Sequence, residues 1–347
     1  MPSSPSISVV MPVYNGERFV VEAVRSILAQ SRADFECIVV DDGSTDRTAD
    51  LLTAEQARDS RIVVHRQPAN MGFRAALNAG CALARGEFVA RMDADDVSLP
   101  ERFERQVAFL RQNPDVGVVG SAVQLIDQDG RRGRVKSYPL RSGLAAWSLI
   151  FFNSLAHPAV MFRRSVLESV GFYPAGRAGG TEDYAIFLEI SRRSKLANLP
   201  DVLLLYRTWG GNMSHTRWQA QEDDAVRLLR AFAADTLGVD LTVDDAIALR
   251  GLSRDQYPAD AQRAARVGAI IEQLARKYTE RSSTRADADA IRTDAAVRLW
   301  LLSAVALRRG SPSASSALAA KAFGTSGSSV FVFGAKALRR VMRLGRG

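Results

Sequence analysis

The sequence predicts an α/β fold with a mostly parallel central sheet flanked by helices, followed by an α-helical C-terminal region. Four apolar stretches of strand length alternate with helical patterns within about the first hundred residues. The connections between them are short, which favours right-handed crossovers and parallel strands. From about residue 218 onward the composition shifts to Ala, Arg, Leu and Asp in helical patterns, so we predict two domains, 1–217 and 218–347.

The composition is that of an ordinary globular protein. Of the 347 residues, 47% are apolar and 24% are charged, and the length suits one large domain or two modest ones. The two cysteines, Cys37 and Cys81, are too few for a disulfide framework, and both lie in apolar patterns. Without a basic segment followed by a long apolar one near the N-terminus, we expect no signal peptide and a cytoplasmic protein.

The elements of the first half follow one another regularly. Apolar runs predict strands at 7–13, 35–40, 62–64 and 88–90, and helical spacing predicts helices at 17–30, 46–57 and 72–84. A further helix is expected after Pro100, up to Gln112. We expect Ser44 or Thr45 to cap the second helix, because short hydroxyl side chains accept hydrogen bonds from the first turn.

Distinctive polar groups follow three of these four strands. They are Tyr14-Asn15, Asp41-Asp42, and the acidic cluster of Asp93, Asp95 and Asp96. In open parallel sheets, ligands bind beyond the carboxyl ends of the strands, so these groups should converge on one crevice. Clustered carboxylates repel one another, and a hard divalent cation removes that cost. The alternative is a solvated acidic turn that caps the next helix.

The usual phosphate-binding signatures are not found in this sequence. The first turn reads Met-Pro-Val-Tyr-Asn-Gly, with neither the glycine-rich dinucleotide fingerprint nor a Walker loop. If phosphates are bound, acids together with a metal ion are the available means.

The order of the motifs resembles that of the family 2 glycosyltransferases, which have the GT-A fold. The resemblance covers roughly residues 5 to 215 and rests on four motifs in order. It implies transfer of a sugar from a nucleotide sugar to an acceptor hydroxyl. The motifs are Val9 to Asn15, Val40 to Asp46, Asn70-Met71-Gly72 with Asn78-Ala79-Gly80, and Asp93 to Asp96.

The resemblance implies a donor site at the strand ends. The nucleotide base would be held by Asp42 and the turn after the first strand, Tyr14-Asn15-Gly16, with Asp41 close by. Pro12, Tyr14 and Asn15 are candidate contacts to the nucleotide sugar. Asp93 would lie near the ribose and the sugar. Asp95 would bind Mg²⁺ or Mn²⁺, and Asp96 would order the loop. Arg74 is a candidate contact to the phosphates or the base, and the alternative is an exposed helix arginine.

The second half of the catalytic region is less regular. Strands are expected at 116–126, 159–162 and 202–205, and Arg131 to Arg134 is expected to be a basic, mobile loop. Gly179-Gly180-Thr181-Glu182-Asp183 opens a helix. This segment resembles the family's Glu-Asp motif, whose aspartate is the catalytic base, and Glu182 is a candidate acceptor contact. Helix capping is the alternative role of Asp183.

Four further residues are candidates for binding. Arg207, in the pair Tyr206-Arg207, would close over the donor diphosphate by resemblance to the family. His215 is a candidate for the phosphate or metal role, and Trp209 for stacking on a sugar face of the acceptor. His157 is either an acceptor contact or a core histidine with its hydrogen bonds satisfied.

The C-terminal tail is strongly basic. The net charge is +8, and no acidic residue follows residue 294. On a helix, Ala335, Leu338, Val341 and Met342 would share one face, with basic residues around the other, as in helices that lie on anionic membranes. This favours a peripheral position at the inner face of the membrane. The alternative is a helix packed on the catalytic domain.

The sequence therefore predicts an inverting glycosyltransferase that needs a divalent metal. Its partners would be a nucleotide sugar and a saccharide or lipid-linked saccharide acceptor of polysaccharide or glycolipid assembly, and no nucleic acid. The alternatives are a sugar nucleotidyltransferase, which would need a glycine- and lysine-rich loop absent from Pro12 to Gly16, and a catalytically silent nucleotide-sugar binding protein. The sequence does not name the sugar, the base or the acceptor.

Overall fold

The computed structural model describes residues 5–174, 180–210 and 218–326. Contacts between Cα atoms divide the chain into two compact units, which are described separately below. The first unit comprises residues 1–145 and 153–225, and the second comprises residues 146–152 and 226–347. The predicted domain boundary after residue 217 remains a prediction.

The first unit is built on a nine-stranded mixed sheet, and its elements follow in chain order. The strands are β1 (Ile7–Val13), β2 (Phe35–Asp41), β3 (Ile62–Arg66), β4 (Phe88–Arg91), β5 (Val97–Ser98), β6 (Val116–Ile126), β7 (Arg132–Lys136), β8 (Met161–Arg163) and β9 (Lys195–Arg207). The helices are α1 (Val20–Leu28), α2 (Thr48–Arg58), α3 (Phe73–Leu83), α4 (Arg102–Gln112), α5 (Ser142–Ser148), α6 (Arg164–Ser169) and α7 (Glu182–Arg193). Helices α5 and α8 (Trp218–Phe232) each have residues in both units: residues 146–148 of α5 and residues 226–232 of α8 belong to the second.

The strand order is β3-β2-β1-β4-β8-β6-β9-β5, and β7 pairs with β6. Strands β1 to β4 are parallel to one another, as predicted. Strand β8 is antiparallel to both of its neighbours, β4 and β6. The carboxyl ends of β2, β1 and β4 therefore lie side by side, because adjacent parallel strands end at the same edge of the sheet.

Apolar side chains explain why the first strands occupy the centre of the sheet. Every residue of β1 and β2 is buried, which is the pattern of parallel strands covered by helices on both faces. Helix α1 presents Val20, Val24 and Ile27 to the same core cluster. Cys37 and Cys81 are buried free thiols, and burial raises the pKa of each to about 12.

Two local predictions are wrong. Helix α2 begins at Thr48, where the backbone N–H donates to Asp46 Oδ1 at 3.0 Å, whereas Ser44 Oγ accepts from Asn15 N at 2.9 Å. Neither Ser44 nor Thr45 caps the helix, because both form hydrogen bonds with Asn15 that connect the turn after β2 to the turn after β1. The basic segment expected to be a loop instead forms β7, which pairs antiparallel with the second half of β6.

The second unit is helical, as predicted. Its further helices are α9 (Val243–Gly251), α10 (Ala261–Glu280), α11 (Arg285–Arg308) and α12 (Pro312–Ser326). Thr242, Asp260 and Thr284 cap the starts of α9, α10 and α11, each accepting a backbone N–H three residues on. Within the described residues, no helix has the length and apolar character needed to cross a membrane.

Candidate active site

The turn after β1 and the turn after β2 are joined to each other by hydrogen bonds. Asn15 N donates to Ser44 Oγ, and Asn15 Oδ1 accepts from Thr45 N at 2.9 Å. Gly43 has a φ of +72°, and a Cβ there would lie 2.5 Å from the backbone carbon of Ala69. Only glycine allows this close approach. Pro12 lies within β1 opposite Val40, and Tyr14 is half exposed in the turn.

The two aspartates at the end of β2 differ in their contacts. Asp42 accepts hydrogen bonds from the backbone N–H groups of Met71 (2.7 Å) and Gly72 (3.0 Å), so it holds the loop before α3. Asp41 Oδ1 accepts from Ser44 N at 2.9 Å. Asp41 Oδ2 is buried without a hydrogen-bond partner, and Arg66 Nε lies 3.5 Å from it. The predicted contact of Asp42 with a nucleotide base, with Asp41 close by, remains a prediction.

The acidic cluster lies directly after β4. Oxygen atoms of Asp93, Asp95 and Asp96 all lie within 4.8 Å of one another. Burial and the charge of Asp93 raise the pKa of Asp95 to about 6. Burial, Asp93 and Asp95 raise the pKa of Asp96 well above its usual range. These groups thus cannot all be ionised without cost, unless a cation is present.

This donor set fits a hard divalent cation. Asp96 Oδ2 is buried and has no hydrogen-bond partner among the described residues. Carboxylate oxygens at this spacing are the ligands that Mg²⁺ and Mn²⁺ prefer. Asp96 Oδ1 accepts from the backbone N–H of Arg207 at 2.7 Å, which agrees with its predicted role in ordering the loop.

Arg91 supports the acidic cluster from below the surface. Its side chain is only 2% exposed, and its Nη2 lies 2.5 Å from Asp93 Oδ1. Arg91 Nε and Nη1 are buried without a hydrogen-bond partner, and the guanidinium lies 5.3 Å from the ring centre of Phe73. Asp93 is therefore oriented and partly neutralised by Arg91. No sequence motif includes Arg91, because it is the last residue of β4 and precedes the cluster.

Arg207 is not free to close over a diphosphate, which contradicts its predicted role. Its side chain is 2% exposed. Its guanidinium donates to the backbone carbonyls of Asp95 (2.7 Å), Asp127 (3.3 Å) and Gln128 (3.4 Å), and to Glu22 Oε2 at 2.7 Å. Arg207 is thus part of the support for the acidic loop.

Trp209 is attached to the same loop. Its indole N–H donates to Asp95 Oδ2 at 2.9 Å, and its ring meets Phe19 edge-on at 5.4 Å. This contact places Trp209 beside the candidate metal ligand, and the predicted stacking on an acceptor sugar remains a prediction. Arg74 is partly buried near the start of α3. His215 lies outside the described residues.

Asp183 lies in the first turn of α7 and is half-buried. Its Oδ2 accepts from Asn153 Nδ2 at 2.6 Å, and its Oδ1 accepts from Tyr184 N at 2.6 Å. Burial raises its pKa to about 6; the backbone N–H of Tyr184 opposes this rise and the charge of Glu182 adds to it. A carboxylate with this pKa is ionised near neutral pH and is still a useful proton acceptor.

The residues around Asp183 include three that sequence analysis missed. Asn153 lies thirty residues earlier in the chain, so no local pattern could reveal its contact with Asp183. Lys136 ends β7, and Tyr138 lies just after it. The negative charge of Asp183 favours the protonated form of both side chains. Glu182 is buried, and its Oε2 accepts from Gly180 N at 2.7 Å, so it shapes the turn before α7.

His157 has the environment of a core residue, which favours the second of its two predicted roles. It is buried, its Nε2 lies 2.8 Å from the hydroxyl of Tyr173, and it meets Phe187 edge-on. Burial and the nearby charge of Arg91 lower its pKa well below the usual value. A neutral, enclosed imidazole of this kind is not placed to contact an acceptor.

Comparison with known proteins identifies the family of this chain. Residues 8–171 match the family model described as Glycosyl transferase family 2. The putative glycosyltransferase EpsE of Bacillus subtilis is 36% identical over 191 residues, which cover 54% of this chain and 67% of EpsE. The amylovoran biosynthesis glycosyltransferase AmsE of Erwinia amylovora is 33% identical over 213 residues, 60% of this chain and 79% of AmsE.

Solved structures show the same fold at low sequence identity. Residues 1–349 of S. aureus TarS, solved in complex with UDP-GlcNAc, superpose with a TM-score of 0.57 at 20% identity, covering 92% of this chain and 88% of that TarS fragment. The mannosyltransferase PcManGT of Pyrobaculum calidifontis, solved with GDP-Man and Mn²⁺, gives 0.53 at 18% identity, with the same coverage. The predicted GT-A fold is therefore confirmed. With the family match and the relatives above, the chain belongs to glycosyltransferase family 2 and is a glycosyltransferase.

Proposed function

We propose that this glycosyltransferase moves a sugar from a nucleotide-diphosphate sugar to an acceptor hydroxyl with inversion at the anomeric carbon. The observation that carries the proposal is the setting of Asp183, whose carboxylate is held by Asn153 and by the start of α7 and has a pKa of about 6. As the hydroxyl oxygen attacks, Asp183 takes its proton. A single base opposite the leaving group is what an inverting displacement needs.

The donor would lie along the ends of β2, β1 and β4. Asp41 and Asp42 stand at the end of β2, where the base would lie, and Asp42 also holds the loop before α3. Asp93, oriented by Arg91, can accept from a hydroxyl of the ribose or the sugar. Asp95 and Asp96 would hold Mg²⁺ or Mn²⁺, which when bound stabilises the charge that develops on the leaving diphosphate.

Similar proteins support this choice of donor and pathway class. TarS was solved with UDP-GlcNAc, and PcManGT with GDP-Man and Mn²⁺. AmsE is named for amylovoran biosynthesis, and WbnJ of Escherichia coli, 33% identical over 206 residues, is named for O-antigen biosynthesis. We infer a role in bacterial polysaccharide or glycolipid assembly, at the cytoplasmic face of a membrane whose anionic surface attracts the basic tail. That tail, residues 331–347, lies outside the described residues.

The stereochemical outcome tests the mechanism. The enzyme, Mn²⁺, an α-linked nucleotide sugar and a saccharide acceptor are followed by proton NMR, which reads the anomeric configuration of the new linkage. We expect a β linkage from an α-linked donor. Retention of the α configuration would exclude direct displacement with Asp183 as the base.

A further inference from the structure

We propose that the acceptor of this enzyme is anionic, and that β7 binds its phosphate or carboxylate group beside Asp183. The inference deepens the proposed function and rests on it, because it takes Asp183 as the base to which the acceptor is delivered.

Strand β7 is unusually basic for its length. Three of its five residues are cationic, namely Arg132, Arg134 and Lys136, and all five residues are exposed to solvent. The strand pairs with β6, and among the described residues it has no second partner strand. Because side chains alternate between the two faces of a strand, Arg132, Arg134 and Lys136 share one face at the edge of the sheet.

These three cations have no carboxylate partner in the part of the chain that the structure describes, whereas many other arginines of the first unit do. Arg25 lies 2.7 Å from Glu55, and Arg105 lies 2.9 Å from Asp201. No such ion pair joins Arg132, Arg134 or Lys136 to an acid. A group of like charges without counter-charges attracts anions to the surface that carries it.

The end of β7 adjoins the catalytic side of the site. Lys136 Nζ lies 5.1 Å from the ring centre of Tyr138, whose side chain is buried. Burial and the charge of Asp183 raise the pKa of Tyr138. Asn198 Nδ2 donates to the carbonyls of Pro139 (2.9 Å) and Ser154 (3.0 Å), and Asn153, next to Ser154, donates to Asp183 Oδ2 at 2.6 Å. The chain that leaves β7 is therefore joined by hydrogen bonds to the segment that holds the carboxylate.

The position of these cations favours the acceptor over the donor as their ligand. The ends of β2 and β4, where the donor would lie, carry aspartates and call for a metal ion to hold phosphates. The segment that follows β7, by contrast, is hydrogen-bonded through Asn198 to Ser154, the neighbour of the Asn153 that holds Asp183. An anion held by β7 would bring the hydroxyl groups of the same molecule towards Asp183 while also offsetting the repulsion between Arg134 and Lys136.

A general solubility role is the competing explanation, because charged side chains on edge strands discourage pairing between molecules. That role would make no distinction between anionic and neutral saccharides. An anionic lipid surface is another source of the same chemistry, and it would act without any soluble saccharide. Binding measurements separate these three cases.

The experiment compares matched probes on the full chain by titration calorimetry with Mn²⁺ and donor present. Trigalacturonate is compared with galactotriose, and glucose 6-phosphate with glucose. We expect wild type to prefer at least one anionic probe by about tenfold, the size of effect that a few exposed ion pairs supply. The variant Arg132→Gln/Arg134→Gln/Lys136→Gln should lose that preference.

A second variant, Arg58→Gln/Arg105→Gln/Arg111→Gln, removes the same charge from exposed positions elsewhere and should keep the preference. The inference is overturned if wild type shows no preference in either pair, if both triple variants lose it equally, or if the β7 variant loses affinity for the donor instead. It is also overturned if that variant loses only binding to phosphatidylglycerol vesicles. Failure of wild type to bind any nucleotide sugar would instead refute the proposed function.

Discussion

The environment of Asp183 shows how the neighbours of one residue change its pKa and fix its orientation. An aspartate in the first turn of a helix is ordinarily an ionised surface group with a low pKa. Here burial raises the pKa to about 6, while Asn153 and the N–H of Tyr184 fix the orientation of both oxygens. The sequence motif locates Asp183, but its partner Asn153 follows from the tertiary fold.

We predict that Asp183→Asn retains donor affinity but transfers sugar at least about 100-fold more slowly, the lower range for loss of a general base. The amide is nearly the same size as the carboxylate and cannot accept the proton. Steady-state rates at saturating donor and acceptor, with a calorimetric donor titration as the control, provide the measurement. Turnover near that of wild type would move the role of base to another group, with Glu182 the next candidate.

The pH dependence of transfer should report the same carboxylate. Because the base must be ionised, the rate should fall as pH drops through about 6 and level off above it. Asn153→Ala removes a donor that favours the ionised form, so the acidic limb should move to higher pH. Asn153→Asp, which adds a negative charge, should move it further. If Asn153 only supports the fold, both variants would lower the rate or the melting temperature without displacing the limb.

The loop before α3 is the clearest case at the level of an element. Asp42 binds two consecutive N–H groups, at Met71 and Gly72, and so joins the end of β2 to the helix that follows β3. The motif pattern names Asp42 as a base-binding residue, but its contacts show that it also organises this loop. Spacing along the chain could not reveal this, because the two segments lie about thirty residues apart.

We therefore predict that Asp42→Ala lowers both stability and donor affinity. Losing two hydrogen bonds to a buried carboxylate should lower the free energy of unfolding by about 1 to 3 kcal/mol. The cost stays in this range because water can reach the freed N–H groups. Urea unfolding and donor titration would measure the two effects. Asp240→Ala is the control, because it removes a carboxylate that is exposed to solvent. Unchanged stability in Asp42→Ala would show that the loop holds its position without this residue.

Strand β7 shows where pattern reasoning fails for an element. Arg-Gly-Arg-Val-Lys has no apolar alternation, so the sequence indicates a solvated loop. Strand β8 pairs only with Val118 and Val119 of β6, so the later residues of β6 are left to pair with β7. Gln124 Nε2 also donates to the carbonyl of Gly133. Pairing of the backbone with a neighbour, rather than its own side chains, determines its structure.

At the scale of the whole molecule, the sequence predicts the architecture of both regions but the chemistry of only one. Apolar periodicity is sufficient to locate strands such as β1 and β6 and helices such as α10, because these bury continuous faces. In the second unit, Trp147 is fully buried and its indole N–H donates to Asp294 Oδ2 at 2.6 Å. Such contacts stabilise a helical core and do not indicate a reaction.

The basic tail gives a prediction for the full chain. We expect it to sediment with phosphatidylglycerol vesicles at low salt, because each basic residue near such a surface contributes about 1 kcal/mol. Replacing Lys336, Arg339, Arg340 and Arg343 by Gln should weaken this binding and leave donor affinity unchanged. Phosphatidylcholine vesicles are the uncharged control. If the wild-type chain remains in the supernatant with both lipids, the membrane prediction fails.

The central claim is that the acidic cluster holds a nucleotide-sugar donor through a divalent cation. Calorimetric titration of UDP- and GDP-linked sugars into the full chain, with Mn²⁺ and then with EDTA, tests it most directly. We predict that at least one donor binds in Mn²⁺, that EDTA abolishes this binding, and that Asp95→Asn binds weakly in both conditions while remaining folded. A donor that binds wild type equally well with and without EDTA, or binds Asp95→Asn as tightly as wild type in Mn²⁺, would contradict the account.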